Sequence, residues 1–313
     1  METVLITGGI GYLGGRLLAA LNGSGRQIRA TTRRPEKKQP AWTVDLDIRI
    51  ADILDAEALA AACDGVDTVI HLAALNAGQC ASNPVLARRV NVDGTQILVA
   101  AAQAAGVKRL IYFSTAHVYG SPLSGVIDEN TPTSPAHPYA NTHADAEEIV
   151  RNLDKLDSLV LRLSNGVGAP MDADIDGWML IANDLCRQAV CDHRITLRGS
   201  GLDDRDFVPI YHVCNTVQFF LDCPTPWNNE SYNLGSGHTT TTQELAETIA
   251  DRCAKTIGHL PQITRKDSTP EETSSPLSFR VDKLAKAGCA PQADLTGEID
   301  ATLVFCRNRF INE

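Results

Sequence analysis

The sequence predicts an α/β fold, a doubly wound parallel sheet with a smaller C-terminal α/β lobe, on three observations. Short β-branched runs alternate with helix-period stretches through the first half, a glycine-rich turn joins the first strand to the first helix, and the alternation loosens after Pro170. Such alternation implies parallel strands with helices on both faces of the sheet.

In chain order the expected strands are Thr3–Ile6, Gln27–Thr31, Ile48–Ile50, Thr68–His71, Arg109–Phe113 and Ser158–Leu163. The expected helices between them are Gly14–Leu21, Ala56–Ala62, Val85–Ala105 and Tyr139–Asn152. Beyond Pro170, loops such as Pro224–Asn229 and the polar stretch Lys266–Pro276 accompany helices expected at Asp176–Val190 and Thr241–Lys255. Thr241 and Glu244 make a capping box, whose side chains satisfy amides that the first turn leaves without partners. Residues 1–168 are therefore read as one domain and 169–313 mainly as the lobe, with a segment near 231–236 returning to the main sheet through Ser231–Leu234.

At 313 residues, 43% hydrophobic and 21% charged, the chain has the composition of a globular protein with a full-sized core, not of a disordered one. A net charge of -10 speaks against nucleic acid as a partner, because a phosphate-tracking protein carries a basic face. The one basic cluster, Arg33, Arg34, Lys37 and Lys38, suits a single small anion. Nine cysteines without a CxxC pair indicate neither a disulfide framework nor a zinc site, and the eight dispersed histidines make no metal-ligand spacing. Met1 leads directly into the first strand and no apolar run approaches the roughly 18 residues of a membrane span, so a cytoplasmic protein without a membrane partner is expected. Neither HExxH, GxSxG nor a Walker loop is present, which removes the zincin, α/β-hydrolase and P-loop classes.

The strongest motif is Thr7-Gly8-Gly9-Ile10-Gly11-Tyr12-Leu13-Gly14, directly after a strand and opening a helix. Gly8 permits the tight turn, Gly11 lets backbone approach a pyrophosphate, and Gly14 lets helix and strand pack closely. Tyr12 and Leu13 begin the helix whose N-terminus attracts the phosphates. This is the dinucleotide-binding turn of a Rossmann domain. The second strand ends in Thr32, Arg33 and Arg34 with no carboxylate, and two guanidiniums suit a 2′-phosphate, which favours NADP over NAD. Asp52 and Ile53 follow the third strand on the adenine side. Leu72, Ala73 and Ala74 follow the fourth and leave room for the cofactor, whereas His71 reads as structural. Asn91 is expected to hydrogen-bond beneath the site.

With these motifs, Phe113–Gly120, Pro138-Tyr139, Arg162–Asn165 and Arg205–Val208 make the chain resemble, over nearly its whole length, the extended short-chain dehydrogenase/reductase family of nucleotide-sugar epimerases, dehydratases and ketoreductases. The resemblance implies that Thr115 hydrogen-bonds the reacting oxygen, that Tyr139 is the catalytic acid/base, and that residue 143 holds the nicotinamide ribose. The family places a lysine there, one turn beyond the tyrosine, to lower the pKa of a phenol that otherwise lies near 10. This chain has His143 instead, largely neutral near pH 7 and a weaker activator.

Ala116 and His117 stand where the family's dehydratases carry an acidic pair, so epimerisation or ketoreduction is expected in preference to dehydration. His117 is left as either a proton shuttle or a cap on the strand. The resemblance further implies that Asn165 contacts a sugar nucleotide, that Arg205 binds its diphosphate, that Arg280 contributes from a late loop, and that the protein is a homodimer built on the helices near Val85–Ala105 and Tyr139–Asn152. Two alternatives stay open: a non-catalytic NAD(P)-binding sensor, which the missing lysine suggests, and a reductase of a non-sugar carbonyl compound.

Overall fold

In the computed structural model, which describes residues 1–35, 38–265 and 276–311, the chain runs β1 (Thr3–Thr7), α1 (Tyr12–Leu21), β2 (Gln27–Thr32), β3 (Asp47–Ile50), α2 (Ala56–Cys63), β4 (Thr68–His71), α3 (Ala77–Ser82), α4 (Pro84–Arg88), α5 (Gly94–Ala104) and β5 (Arg109–Thr115). It continues through β6 (Gly125–Ile127), α6 (Pro138–Arg151), β7 (Asp157–Leu163), β8 (Asn165–Val167), α7 (Ile181–Cys191), β9 (Arg194–Leu197), β10 (Asp204–Pro209) and α8 (Ile210–Asp222). The last elements are β11 (Glu230–Leu234), β12 (Thr239–Thr241), α9 (Thr242–Thr256), β13 (Gln262–Arg265), β14 (Leu277–Phe279), α10 (Asp282–Lys286) and α11 (Thr296–Phe310). Lys37 and most of the expected polar stretch, residues 266–275, lie outside the described residues.

Seven strands form the main sheet in the order β11-β7-β5-β4-β1-β2-β3, and the pairs from β7 to β3 are all parallel. The chain winds outward in both directions from β1 and β4, so the crevice at their carboxyl ends is the topological switch point where such sheets bind ligands. The strands read as nearly continuous apolar runs because both faces are covered: all five residues of β1 are buried, and Leu5, Leu59, Leu98 and Leu110 are fully enclosed. Burying side chains of that size stabilises the sheet by roughly 1.5–3 kcal/mol each.

The long helix expected at Val85–Ala105 is interrupted. α4 and α5 are joined by a π-helical turn at Arg89–Asp93, which carries the buried Asn91; such turns recur at functional sites. The helix expected from Asp176 begins only at Ile181. The preceding turn is held by the Trp178 indole donating to the Ala173 carbonyl and by the Asn183 side chain donating to the Gly177 carbonyl. α9 is capped as predicted, with Thr241 Oγ1 accepting from the Glu244 amide at 3.1 Å and Glu244 Oε2 accepting from the Thr241 amide at 2.8 Å.

The chain divides into two compact units, Met1–Ser121 with Pro132–Leu163 and Gln218–Tyr232, and Pro122–Thr131 with Ser164–Val217 and Asn233–Glu313. The second unit contains a three-stranded sheet, β12-β10-β8, and the pairs β13-β9 and β14-β6. Leu185, Ala189, Leu245, Ile249, Ile299 and Leu303 form part of its core where α7, α9 and α11 meet. Among the described residues no helix is long and apolar enough to cross a membrane.

Candidate active site

β1 ends in Thr7 and the chain turns at Gly8, whose φ of +68° favours glycine. A Cβ at Gly14 would lie 2.4 Å from the Gly8 carbonyl oxygen, so the first turn of α1 sits directly on the loop. The Gly11 amide donates to the Gly8 carbonyl at 2.9 Å. Gly11 is also the N-cap of α1 and offers no side-chain cap, and the first turn carries no acidic residue. A helix N-terminus with this geometry favours an anion through its first-turn amides and its dipole. Gly8, Gly11, Tyr12 and Leu13 thus lie together, and the cradle fits a pyrophosphate.

The opposite wall is braced from beneath. Thr7 Oγ1 lies 2.8 Å from His71 Nδ1 and accepts from the amides of Leu72 and Ala73 at 3.2 Å, while His71 Nε2 lies 3.0 Å from Thr95 Oγ1. Thr95 Oγ1 donates to the Asn91 carbonyl at 2.6 Å, so it accepts from His71 Nε2–H, and Nδ1 accepts from Thr7. His71 is a neutral structural residue, its pKa pulled down to about 3 chiefly by burial. Leu72 and Ala73 are half-buried and Ala74 is exposed beside the cradle. Asn91 spends both ends of its amide inside the protein, accepting from the Leu75 amide at 2.8 Å and donating to Thr142 Oγ1 at 3.0 Å.

At the end of β2, Thr32 Oγ1 accepts from the Arg34 amide at 3.1 Å, Arg33 is exposed and Arg34 half-buried. Asp52 is exposed and turns its carboxylate back to the Leu54 amide at 2.9 Å. The side chain of Ile53, the residue expected on the adenine side, packs into the hydrophobic core, where a Cβ on Gly94 would come within 2.9 Å of it.

Pro138 fixes the first turn of α6, and Tyr139 and His143 follow one turn apart on the same face. Their rings meet edge to face at 4.5 Å between centroids. The Tyr139 hydroxyl lies beside Thr115, which ends β5 and accepts from the His117 amide at 3.3 Å. Burial pushes the Tyr139 phenol up to about 12 against the opposing effect of the neighbouring Thr115 hydroxyl. Burial likewise draws His143 down to about 4, so the imidazole is neutral near pH 7 and supplies no charge to activate the phenol. His143 Nδ1 lies 2.7 Å from Tyr112 Oη, whereas Nε2 is buried with no hydrogen-bond partner among the described residues. That orphaned nitrogen and the glycine cradle are two independent features that fit a dinucleotide.

Two aromatic residues on this wall were not anticipated. His137 caps α6 by accepting from the Ala140 amide at 3.3 Å, stacks 6.1 Å from Tyr139 and lies 5.5 Å from the half-buried His117. Its place immediately before Pro138 is the sequence signal for it. Tyr112 gave no such signal, because within β5 it reads as one more apolar strand residue.

In the second unit, Asn165 on β8 donates to the Asp206 carbonyl at 2.8 Å. Arg205 on β10 keeps a buried Nε without a partner among the described residues, and approaches Asp203 only at 4.0 Å. Arg280 is exposed and paired with Asp282 at 2.6 Å. Asp206 holds this part of the chain through Ser164 Oγ at 2.5 Å and the amides of Ser236 and Gly237 at 2.9 Å.

A parallel sheet with a glycine cradle at its switch point, and a threonine, tyrosine and residue 143 gathered beside it, defines the extended short-chain dehydrogenase/reductase class. Residues 4–235 match the NAD dependent epimerase/dehydratase family, and the chain belongs to that family. It is 30% identical over 293 residues to UDP-glucose 4-epimerase 4 of Oryza sativa subsp. japonica, covering 82% of this chain and 78% of that one. Identity to the UDP-glucose 4-epimerase of Mycolicibacterium smegmatis is 28%, over 97% of this chain and 98% of that one. In fold it is similar to the UDP-glucose 4-epimerase of Bifidobacterium longum solved with NAD+ and UDP, with a TM-score of 0.82, 21% identity and 99% coverage of both chains.

Proposed function

We propose that the protein is an NAD(P)-dependent epimerase or ketoreductase of a nucleotide-linked sugar, with Tyr139 as its acid/base and His143 in place of lysine. The observation that carries this reading is the edge-to-face contact of Tyr139 and His143 at 4.5 Å, with Thr115 beside the Tyr139 hydroxyl. Bound in the cradle, the dinucleotide supplies hydride exchange at a sugar carbon. Thr115 orients the sugar hydroxyl, Tyr139 exchanges its proton, and His143 offers Nε2 to the dinucleotide ribose.

A phenol near 12 stays protonated near pH 7, so giving a proton to a ketone oxygen is the easier direction and taking one from an alcohol the harder. The sugar-nucleotide substrate is supported by the UDP-glucose 4-epimerases among the relatives, and by Arg205, whose unpaired Nε suits a diphosphate. Arg33 and Arg34 at the end of β2 favour NADP over NAD. We place a homodimer contact on α4, α5 and α6, of which α4 and α6 are joined by an Arg88–Asp145 pair at 2.5 Å, and the cytoplasm as its location.

Incubation with NADP+ or NAD+ and a panel of UDP-, dTDP-, GDP- and CDP-sugars tests the reading, with sugar configuration followed by NMR and cofactor reduction by absorbance. A C4 epimer formed without net reduction identifies an epimerase, and stoichiometric reduction of NADP+ or NAD+ by a sugar of the panel identifies a ketoreductase run in its alcohol-oxidising direction. Binding of dinucleotide with turnover of no member of the panel would overturn the proposal.

A further inference from the structure

The imidazole that replaces the lysine has a partner of its own. His143 is 4% exposed and Tyr112 3%, and the one hydrogen bond between them, Tyr112 Oη to His143 Nδ1 at 2.7 Å, joins α6 to the middle of β5. A neutral imidazole carries a single N–H, so two arrangements compete. If Nδ1–H donates to the phenol oxygen, the buried phenol proton and the Nε2 lone pair are both left unsatisfied. If instead the phenol O–H donates to Nδ1, only Nε2–H is left over. Since an unsatisfied buried polar group forfeits its full solvation, the second arrangement wins on count. The neighbouring histidine does not compete, because His71 is saturated by Thr7 and Thr95.

We infer that Tyr112 is a positioning residue that fixes His143 as the Nε2–H tautomer, so that a neutral ring presents one aimed N–H to an acceptor oxygen of the bound dinucleotide. The donor side rests on the cofactor-site reading above, and the tautomer does not. The device exchanges charge for direction: a lysine ammonium has three rotatable donors, whereas this ring has one donor whose direction is set from behind. It preserves the hydrogen bond to the ligand and gives up the electrostatic activation of Tyr139.

The test has two arms. In protein labelled with 15N at histidine, two-bond 1H–15N correlation spectra read the tautomer without any ligand. The expected result is a pyrrole-type Nε2 and a pyridine-type Nδ1 for His143, with that preference lost in Tyr112→Phe, a substitution that removes one oxygen and whose folding is checked by its thermal transition. A pyrrole-type Nδ1 in the wild type, or a tautomer unchanged by Tyr112→Phe, overturns the inference.

In the second arm, NADPH and NADH affinities are measured for the wild type, Tyr112→Phe, His143→Lys and the double variant. Losing one oriented hydrogen bond is expected to weaken binding about ten-fold in the histidine background. In the His143→Lys background the same change has no tautomer to release, and less than about a two-fold effect is expected. Equal losses in both backgrounds would show a structural effect of Tyr112 alone and overturn its positioning role. If the wild type binds neither dinucleotide, the cofactor reading fails, and the first arm still decides the tautomer in either direction.

Discussion

Arg162 on β7 and Glu147 on α6 are locked together inside the first unit. Arg162 Nη2 lies 2.6 Å and Nε 3.0 Å from the two carboxylate oxygens, both side chains are at most 4% exposed, and Nη1 donates to Tyr119 Oη at 2.8 Å. Glu147 is one turn beyond His143 on the same face of α6, so the pair anchors the helix that carries Tyr139 and His143. Removing one buried partner strands the other charge, at a cost of about 3–5 kcal/mol, whereas replacing both by apolar groups of similar size is far milder. Glu147→Ala is expected to lose that amount in urea unfolding and Glu147→Leu/Arg162→Met to recover most of it. Equal stability of wild type and Glu147→Ala would show the pair to be energetically silent.

Because burial pushes the Tyr139 phenol up to about 12, the phenolate fraction near pH 7 is minute and rises about ten-fold per pH unit. In the alcohol-oxidising direction kcat/KM should therefore climb steadily through the alkaline range. His143→Lys should move that limb to lower pH by at least about one unit, since a cation beside the phenol favours its ionised form. Tyr139→Phe should lower the rate by about 10²–10⁴-fold. A flat pH–rate profile in that direction would exclude the phenol as the base.

The buried histidines make a prediction about acid. His71 is held down to about 3 and His143 to about 4, both by burial, while unfolded histidine titrates near 6.5. The unfolded chain therefore takes up protons first. The stability contributed by the neutral rings is complete above about pH 6.5 and is lost as pH falls towards their folded values, by up to about 1.4 kcal/mol per pH unit for each ring. Urea unfolding between pH 7 and 5 should show this slope, and His143→Gln should lack one ring's share. A slope identical in the two proteins would contradict the assignment.

Gly14→Ala would place a methyl carbon 2.4 Å from the Gly8 carbonyl oxygen and 2.7 Å from Gly9 Cα, both backbone atoms. The loop must move away from the helix end, and dinucleotide affinity measured by calorimetry should fall at least about ten-fold. Gly297→Ala, at a helical glycine with open space around it, serves as the control for a methyl added away from the cradle.

Arg33→Ser/Arg34→Ser removes the two guanidiniums at the end of β2. If they hold a 2′-phosphate, NADPH affinity should drop about ten-fold with NADH affinity changed less than about two-fold. A parallel loss for both cofactors would mean that the arginines serve the loop and not the phosphate.

What could be read beforehand follows from how each feature is encoded. The parallel strands announce themselves as β-branched runs buried on both faces, and the glycine cradle is local to Thr7–Gly14. The capping box at Thr241 and Glu244 is equally local and appears as expected. The short strands of the second unit, such as Asn165–Val167 and Leu277–Phe279, are three residues long and too brief for periodicity to register. The π turn at Arg89–Asp93 leaves the hydrophobic spacing of its helix almost undisturbed. His143 stands out in the sequence as a departure, but its hydrogen bond to Tyr112 joins residues far apart in the chain, which no local pattern encodes. Ile53 is legible twice over, by its position after β3 and by an apolar side chain that packs into the core.

The placement of β11 sets a schedule for the ribosome. β7 is synthesised well before Glu230–Leu234, the strand that covers its outer edge in the finished sheet. At typical elongation rates that edge waits on the order of several seconds with its backbone donors and acceptors unpaired. During that interval the nascent chain presents a template for strand addition, and a chaperone that shields extended apolar segments would be needed most then.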